Sequence, residues 1–83
     1  MVVKNRLGLH LRAATAVAET LHDLKANVTL TRGKNRVDAR SITGMMMLGA
    51  GRGAKISVRA EGHDAERAVQ ALKTLFDARF GEE

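Results

Sequence analysis

Hydrophobic residues in this chain change their spacing repeatedly, between the period of a strand and that of a helix, within only 83 residues. Helical spacing occupies 11–24 and 65–76, whereas alternation with polar residues occupies 28–31 and 54–60. Glycine separates these segments, since the chain has eight Gly and no Pro. The pattern predicts a single α+β domain over 1–83, because so short a chain has room for only one core.

The segments follow one another in the order βαββαβα. A short strand at Val2-Val3 precedes the first helix, and a hairpin that turns over 32–35 comes next. Ser41 is expected to cap a short second helix over 42–48, and Asp64 is expected to cap the last helix. Four strands with one apolar face need all three helices on that face, so we expect an open-faced β-sandwich.

The composition excludes several classes of site. Cysteine is absent, which excludes a disulfide framework, a thiolate nucleophile and a zinc site with thiolate ligands. The three histidines, His10, His22 and His63, have no metal-binding spacing, so we expect neither a metal nor another cofactor. The longest uncharged stretch, 41–51, is too short for a membrane span, and the first residues lack the apolar length of a signal peptide. We therefore expect a cytoplasmic protein without a membrane partner.

The net charge of +5 is distributed unevenly. Residues 1–60 carry eleven Lys/Arg and three Asp/Glu, a local charge of +8, whereas 61–83 carry three Lys/Arg and six Asp/Glu, a local charge of −3. Such a basic body attracts phosphorylated groups, acidic protein surfaces or nucleic acid. The two aromatic residues, Phe76 and Phe80, are both predicted in the last helix, which leaves no stacking platform. We therefore expect no nucleic-acid partner.

His10 stands at the junction between a glycine-containing loop and the first helix. The unpaired N–H groups of Leu11 and Arg12 at the helix start favour an anion there. The Arg12 guanidinium can add a hydrogen bond to a phosphoryl oxygen, and imidazole is a competent nucleophile near neutral pH. On position alone, a phosphoryl acceptor and a plain helix-capping histidine are equally good interpretations of His10.

The predicted second helix carries more apolar side chains than one sheet can cover. Helical geometry places Met45 and Leu48 on the side away from Ile42, Met46 and Met47. We expect the first pair in the core and the other three in an exposed apolar patch suited to docking. The alternative is a short helix buried on all sides.

The chain resembles the histidine-containing phosphocarrier (HPr) family of the phosphoenolpyruvate:sugar phosphotransferase system in three motifs. These are Gly8-Leu9-His10-x-Arg12, Ser41-Ile42-x-Gly44-x-Met46-x-Leu48-Gly49 and Glu61-Gly62-x-Asp64, in that order. The resemblance covers nearly the whole chain. It implies a four-stranded antiparallel sheet of order 1-4-2-3 with three helices on one face, and a carrier whose partners supply the catalysis rather than an enzyme.

The resemblance also assigns roles to residues. It implies that His10 accepts a phosphoryl group on Nδ1 from phosphorylated Enzyme I and donates it to an Enzyme IIA domain, with Arg12 as its companion. Ser41 would be the regulatory serine that an HPr kinase/phosphorylase modifies in many bacteria. The expected partner-docking residues are Leu11, Thr15, Ile42, Thr43, Met46 and Met47. A monomer is expected, since a carrier must expose its site to successive partners.

Two departures from the family pattern bear on these roles. Ala13 stands where the family usually has proline, a residue favoured in the first turn of a helix, so we expect a more mobile His10 loop. The chain also begins several residues short of a typical member, which shortens the first strand. The alternative function is a regulatory binding module that is controlled through Ser41 and in which His10 is weak or silent.

Overall fold

Three helices, a three-stranded sheet and a short 3-10 turn make up the fold. The computed structural model describes residues 1–82. In chain order its elements are α1 (Leu11–Leu21), β1 (Asn27–Arg32), β2 (Asn35–Asp38), α2 (Ile42–Met47), β3 (Ser57–Glu61), α3 (Ala65–Asp77) and the 3-10 turn Arg79–Gly81. Within the described part of the chain, no helix combines the length and the apolarity needed to cross a membrane.

The sheet is antiparallel, with β1 in the middle and the order β2-β1-β3. The turn between β1 and β2 has only two residues, Gly33 and Lys34, because Arg32 and Asn35 already pair within the ladder. Gly33 has a φ of +60°, which suits so tight a turn. This arrangement confirms the predicted hairpin and the predicted neighbours of its first strand.

The prediction of a fourth strand at Val2-Val3 is wrong. Val2 forms only an isolated antiparallel bridge with Lys55. Both backbone hydrogen-bonding groups of Val3 are used by the same bend. Its N–H donates to Ala54 O at 2.9 Å, and its carbonyl accepts from Gly53 N at 2.7 Å. A regular ladder needs an extended partner, and 51–54 turns instead of extending. The sheet therefore has three strands, and β3 begins at Ser57 rather than at the predicted position 54.

One apolar core joins the helices to the covered face of the sheet. Its largest fully buried side chains include Val17 and Leu21 of α1, Leu30 of β1, Met45 of α2, Leu72 and Phe76 of α3, and Ile56. Leu48 is also buried, so the predicted core side of α2 is confirmed. Phe80 lies in the 3-10 turn after α3 rather than in the last helix as predicted, and its ring meets that of Phe76 edge-on with centroids 4.8 Å apart.

Asp64 occupies the predicted N-cap position of α3 but does not cap that helix with its side chain. Its Oδ2 instead accepts a hydrogen bond from the backbone N–H of Lys25 at 2.8 Å. That bond is the main reason that the pKa of Asp64 lies below its ordinary value, and the charge of Arg67 acts in the same direction. The carboxylate therefore joins the start of α3 to the segment that follows α1.

Arg40 connects the end of α1 with the start of β1. Its guanidinium donates to the carbonyl oxygens of Leu21 at 2.8 Å, Leu24 at 2.7 Å and Ala26 at 2.6 Å. The carbonyls at a helix C-terminus lack intrahelical partners and carry negative partial charge, so a cation is favoured there. One side chain from the segment after β2 thus fixes the path of the chain between α1 and the sheet.

We expect Arg40→Ala to lower the free energy of unfolding by about 2–3 kcal/mol, because three charge-assisted hydrogen bonds are lost together. Urea denaturation followed by circular dichroism measures the change. Arg36→Ala removes the same charge from an exposed position of β2 and is expected to cost less than about 0.5 kcal/mol. Equal losses in the two variants would show that Arg40 acts through its charge alone and not through these bonds.

Candidate functional site

Gly8 determines where the loop before α1 runs. Its φ is +73°, and a Cβ at this position would lie 2.5 Å from the carbonyl oxygen of Ala50. The next residue, Leu9, donates its N–H to the same oxygen at 2.8 Å. A side chain at position 8 would force these two backbone segments apart. The close approach places His10 beside the chain that leaves α2.

His10 is the N-cap residue of α1, as the sequence indicates. Its backbone is extended, its side chain makes no capping hydrogen bond, and its carbonyl accepts the N–H of Ala14 at 2.8 Å. The imidazole is 29% exposed. Because the amides of the first helical turn have no acceptor within the helix, an anion next to this ring would meet several donors.

A carboxylate from the end of the chain meets the imidazole. The Nε2 atom of His10 lies 2.8 Å from Oε2 and 3.0 Å from Oε1 of Glu82, whose side chain is only 10% exposed. The hydrogen bond with His10 is the main cause of the lowered pKa of Glu82. A hydrogen bond from Asn5 and the charges of His10 and Arg12 lower that pKa further. Glu82 therefore stays ionised at neutral pH.

Asn5 joins the carboxylate to the loop. It is fully buried, and its Nδ2 donates to Gly8 O at 2.8 Å and to Glu82 Oε1 at 2.9 Å. Its Oδ1 is buried without a hydrogen-bond partner among the described residues. Since both N–H bonds of the amide point at acceptors, the opposite amide orientation would place an oxygen against two oxygens. Asn5 thus holds the loop and the tail in one arrangement.

The tail reaches the site through a reversal of the backbone after α3. Arg79, Phe80 and Gly81 have φ values of +57°, +55° and +77°, three left-handed residues in succession. The first two carry side chains, for which this region is unfavourable. Burial of the Phe80 ring against Phe76 compensates for this cost. The reversal directs Glu82 back towards His10.

Glu82 and Asn5 are functional candidates that the sequence analysis missed. The only sequence signal for Glu82 was the acidic character of 61–83, which says nothing about where the tail lies. For Asn5 the signal was an asparagine three residues before a loop glycine, a common turn pattern. Neither signal connects the two residues to His10, because the contacts bridge more than seventy positions of sequence.

Three predicted site residues follow His10 on α1. Leu11, Arg12 and Thr15 line a shallow depression next to the imidazole. Leu11 and Arg12 are exposed, whereas the Thr15 hydroxyl donates to Leu11 O at 2.8 Å within the helix. The depression thus combines an exposed apolar side chain and an exposed cation beside the imidazole.

The second helix contributes the other side of the site. His10 shares a second shallow depression with Met46 and with Leu7, an exposed residue that the sequence analysis did not select. Met46 is 46% exposed and Met47 is 78% exposed, as predicted. We call the four exposed side chains Leu7, Leu11, Met46 and Met47 the apolar patch.

The predicted exposure of Ile42 is wrong in degree. Ile42 is partly buried and packs against the core, and α2 as a whole contacts β2. Thr43 is exposed beside it. The outer surface of α2 is therefore polar in its first turn and apolar in its last.

Ser41 is the N-cap of α2, as predicted. Its exposed Oγ accepts the N–H of Gly44 at 3.0 Å. His10 instead shares a depression with Met46, near the opposite end of α2, and with Gly49, which follows that helix. Ser41 therefore lies roughly two helical turns, on the order of 9 Å, from that end.

The first helical turn accommodates Ala13 without proline. Ala13 is fully buried, and α1 still begins at Leu11.

Across the described residues, no group of His, Cys, Asp or Glu side chains could hold a metal ion. The chemistry available at the site is that of an imidazole, an ionised carboxylate, a guanidinium and the amides of a helix start.

Comparison with known proteins gives a consistent result. The family described as "PTS HPr component phosphorylation site" matches residues 1–78. Phosphocarrier protein HPr of Xylella fastidiosa is 42% identical over 83 residues, which are 100% of this chain and 93% of that protein. Phosphocarrier protein NPr of Shewanella violacea is 38% identical over 82 residues, 99% of this chain and 90% of that protein. The crystal structure of HPr-C-His from Thermoanaerobacter tengcongensis superposes with a TM-score of 0.94 at 36% identity, covering 100% of this chain and 93% of that chain.

Proposed function

Because this chain belongs to the HPr family of the phosphotransferase system, whose members are phosphocarrier proteins rather than enzymes, we propose that His10 carries the phosphoryl group. One observation carries this assignment. The ring is partly exposed at the start of α1, and its Nε2 contacts Glu82 while its Nδ1 makes no hydrogen bond among the described residues. An ordinary capping histidine would use its ring on the helix, and this ring does not.

Electrostatics favour a phosphoryl group at this position. The amides of the first turn of α1 carry positive partial charge, and the exposed guanidinium of Arg12 stands two residues after His10. A guanidinium forms strong charge-assisted hydrogen bonds with phosphoryl oxygens. The donor in this proposal is phosphorylated Enzyme I and the acceptor is an Enzyme IIA domain, and the carrier meets them one after the other.

His10→Ala is expected to abolish acceptance of a phosphoryl group because it removes the nucleophile. The protein is incubated with phosphoenolpyruvate and Enzyme I, and intact mass is recorded before and after mild acid. The unsubstituted protein should gain one acid-labile phosphoryl group, and His10→Ala should gain none while keeping its circular dichroism spectrum. His22→Ala, an exposed imidazole at the other end of α1, is the matched control and should behave like the unsubstituted protein.

The same experiment tests the alternative function. If the unsubstituted protein gains no phosphoryl group while the same Enzyme I phosphorylates another carrier, His10 is silent. The regulatory binding module controlled through Ser41 would then be the better description of this chain.

The partner-docking surface in this proposal is the apolar patch around His10, extended by Ile42, Thr43 and Thr15. Exposed methionines adapt to differently shaped partners, which suits a carrier that binds a donor and then an acceptor. Three members of the patch, Leu7, Leu11 and Met46, line the two depressions that contain His10, so a partner that covers them also excludes water from the reacting group. The exposed guanidinium of Arg12 beside this surface favours acidic faces on the partner.

We expect Met46→Asp to weaken docking and to leave the fold intact. A charge in a buried interface should raise the KM for transfer from Enzyme I about tenfold. The free energy of unfolding should change by less than about 1 kcal/mol, because Met46 is exposed. Gln70→Asp adds the same charge on the exposed side of α3 and should change neither quantity. Unfolding of Met46→Asp would favour the alternative of an α2 buried on all sides.

Ser41 is the proposed regulatory position, and an HPr kinase/phosphorylase is its proposed modifying enzyme. The hydroxyl is exposed, and a phosphate at a helix N-cap is locally tolerated. The added negative charge would nevertheless stand on the helix that carries Met46 and Met47, where a partner buries apolar surface. Modification is therefore expected to weaken docking without unfolding α2.

Two substitutions separate the charge of Ser41 from its capping role. Aspartate and asparagine both cap helices well, and only aspartate adds a charge. Ser41→Asp should raise the KM for transfer from Enzyme I several-fold, and Ser41→Asn should leave it near the unsubstituted value. Equal effects in both variants would mean that the local helix geometry, and not charge, controls docking.

A further inference from the structure

We infer that Glu82 is a positioning residue for phosphoryl transfer, which holds the proton of the His10 imidazole on Nε2 and leaves the lone pair of Nδ1 as the nucleophile. The inference rests on the proposed function of His10 and assigns a role to a residue outside the motifs that define the site. Its basis is the contact of Nε2 with both carboxylate oxygens, at 2.8 and 3.0 Å.

An ionised carboxylate can accept hydrogen bonds but cannot donate them. The lowered pKa of Glu82 keeps it in that form at neutral pH. The nitrogen that faces it must therefore be the donor, so the neutral imidazole carries its proton on Nε2. Among the described residues, Nδ1 makes no hydrogen bond. The ring thus presents its free lone pair away from Glu82.

The surroundings hold the carboxylate in this position. Asn5 donates to Oε1 at 2.9 Å, and its own amide is anchored on Gly8 O at 2.8 Å. The buried Phe80 fixes the backbone two residues before Glu82, in the left-handed reversal that points the tail at the ring. A freely moving glutamate would lose conformational entropy each time it formed this contact. Here the side chain is already ordered by folding.

The proton on Nε2 is important in both directions of transfer. When Nδ1 attacks, its lone pair forms the new N–P bond, the bond between phosphorus and the donor's leaving group breaks, and that group takes the electron pair. Nε2 keeps its proton, so the ring becomes a cation that the Glu82 carboxylate balances. In onward transfer the electron pair of the N–P bond returns to Nδ1, and the ring leaves as neutral imidazole with its proton still on Nε2.

Glu82→Gln tests the inference with almost no change in shape. Asn5 still needs an acceptor, so the new amide is expected to turn its oxygen to Asn5 and its NH2 to the His10 ring. An NH2 group facing Nε2 favours the tautomer with the proton on Nδ1, which has no lone pair there for attack. We therefore expect the fraction of Nδ1-protonated neutral ring to rise several-fold, as measured by imidazole nitrogen shifts in long-range proton–nitrogen NMR spectra.

The same variant is then assayed for phosphoryl acceptance from phosphorylated Enzyme I. The kcat should fall about tenfold with little change in KM, because the largely buried Glu82 side chain lies outside the proposed docking surface. Glu66→Gln removes one exposed carboxylate from the first turn of α3 and is the matched control, with both the tautomer and the kcat expected to be unchanged.

The outcomes separate this inference from the proposed function. If the unsubstituted protein is phosphorylated and Glu82→Gln leaves either the tautomer or the kcat unchanged, the positioning role of Glu82 is overturned while the carrier function stands. If the unsubstituted protein is not phosphorylated on His10 by an active Enzyme I, the proposed function fails, and a positioning role in transfer fails with it. A shift of the tautomer in that case would still establish the contact between Glu82 and the ring.

Discussion

The close approach of Gly8 to Ala50 is the contact on which the arrangement of this site depends. It brings the loop before α1 against the segment after α2, with no room for a side chain between the two backbones. The two shallow depressions beside the ring, one along α1 and the other shared with Met46, meet at His10. Backbone packing at one glycine therefore places the His10 imidazole next to an apolar surface.

The backbone that leads from α3 to Glu82 is locally strained. Arg79 and Phe80 adopt left-handed backbone conformations that cost free energy, and burial of the Phe80 ring offsets that cost. The reversal places the largely buried carboxylate of Glu82 within hydrogen-bond distance of Nε2 of His10. Because the carboxylate contacts the imidazole through one nitrogen only, it leaves the other nitrogen without a hydrogen bond among the described residues.

The second helix serves the core and the surface at once. Met45 is fully buried, while Met46 and Met47 are exposed, since neighbouring residues on a helix point in directions about 100° apart. Six residues are enough for this division because Ser41 caps the helix and satisfies an amide of its first turn. Ser41 itself stays exposed at the start of this helix.

The sequence by itself determined the order of the helices and the hairpin, the buried side of α2 and the position of His10 at a helix start. Period, capping residues and glycines are local properties, so each of these features depends on neighbours within a few positions. Only the tertiary structure decided that Val2 pairs at a single bridge, and that Glu82 and Asn5 meet at His10. Those outcomes depend on contacts between residues more than fifty positions apart, where chain path and burial, rather than local preference, choose the partner.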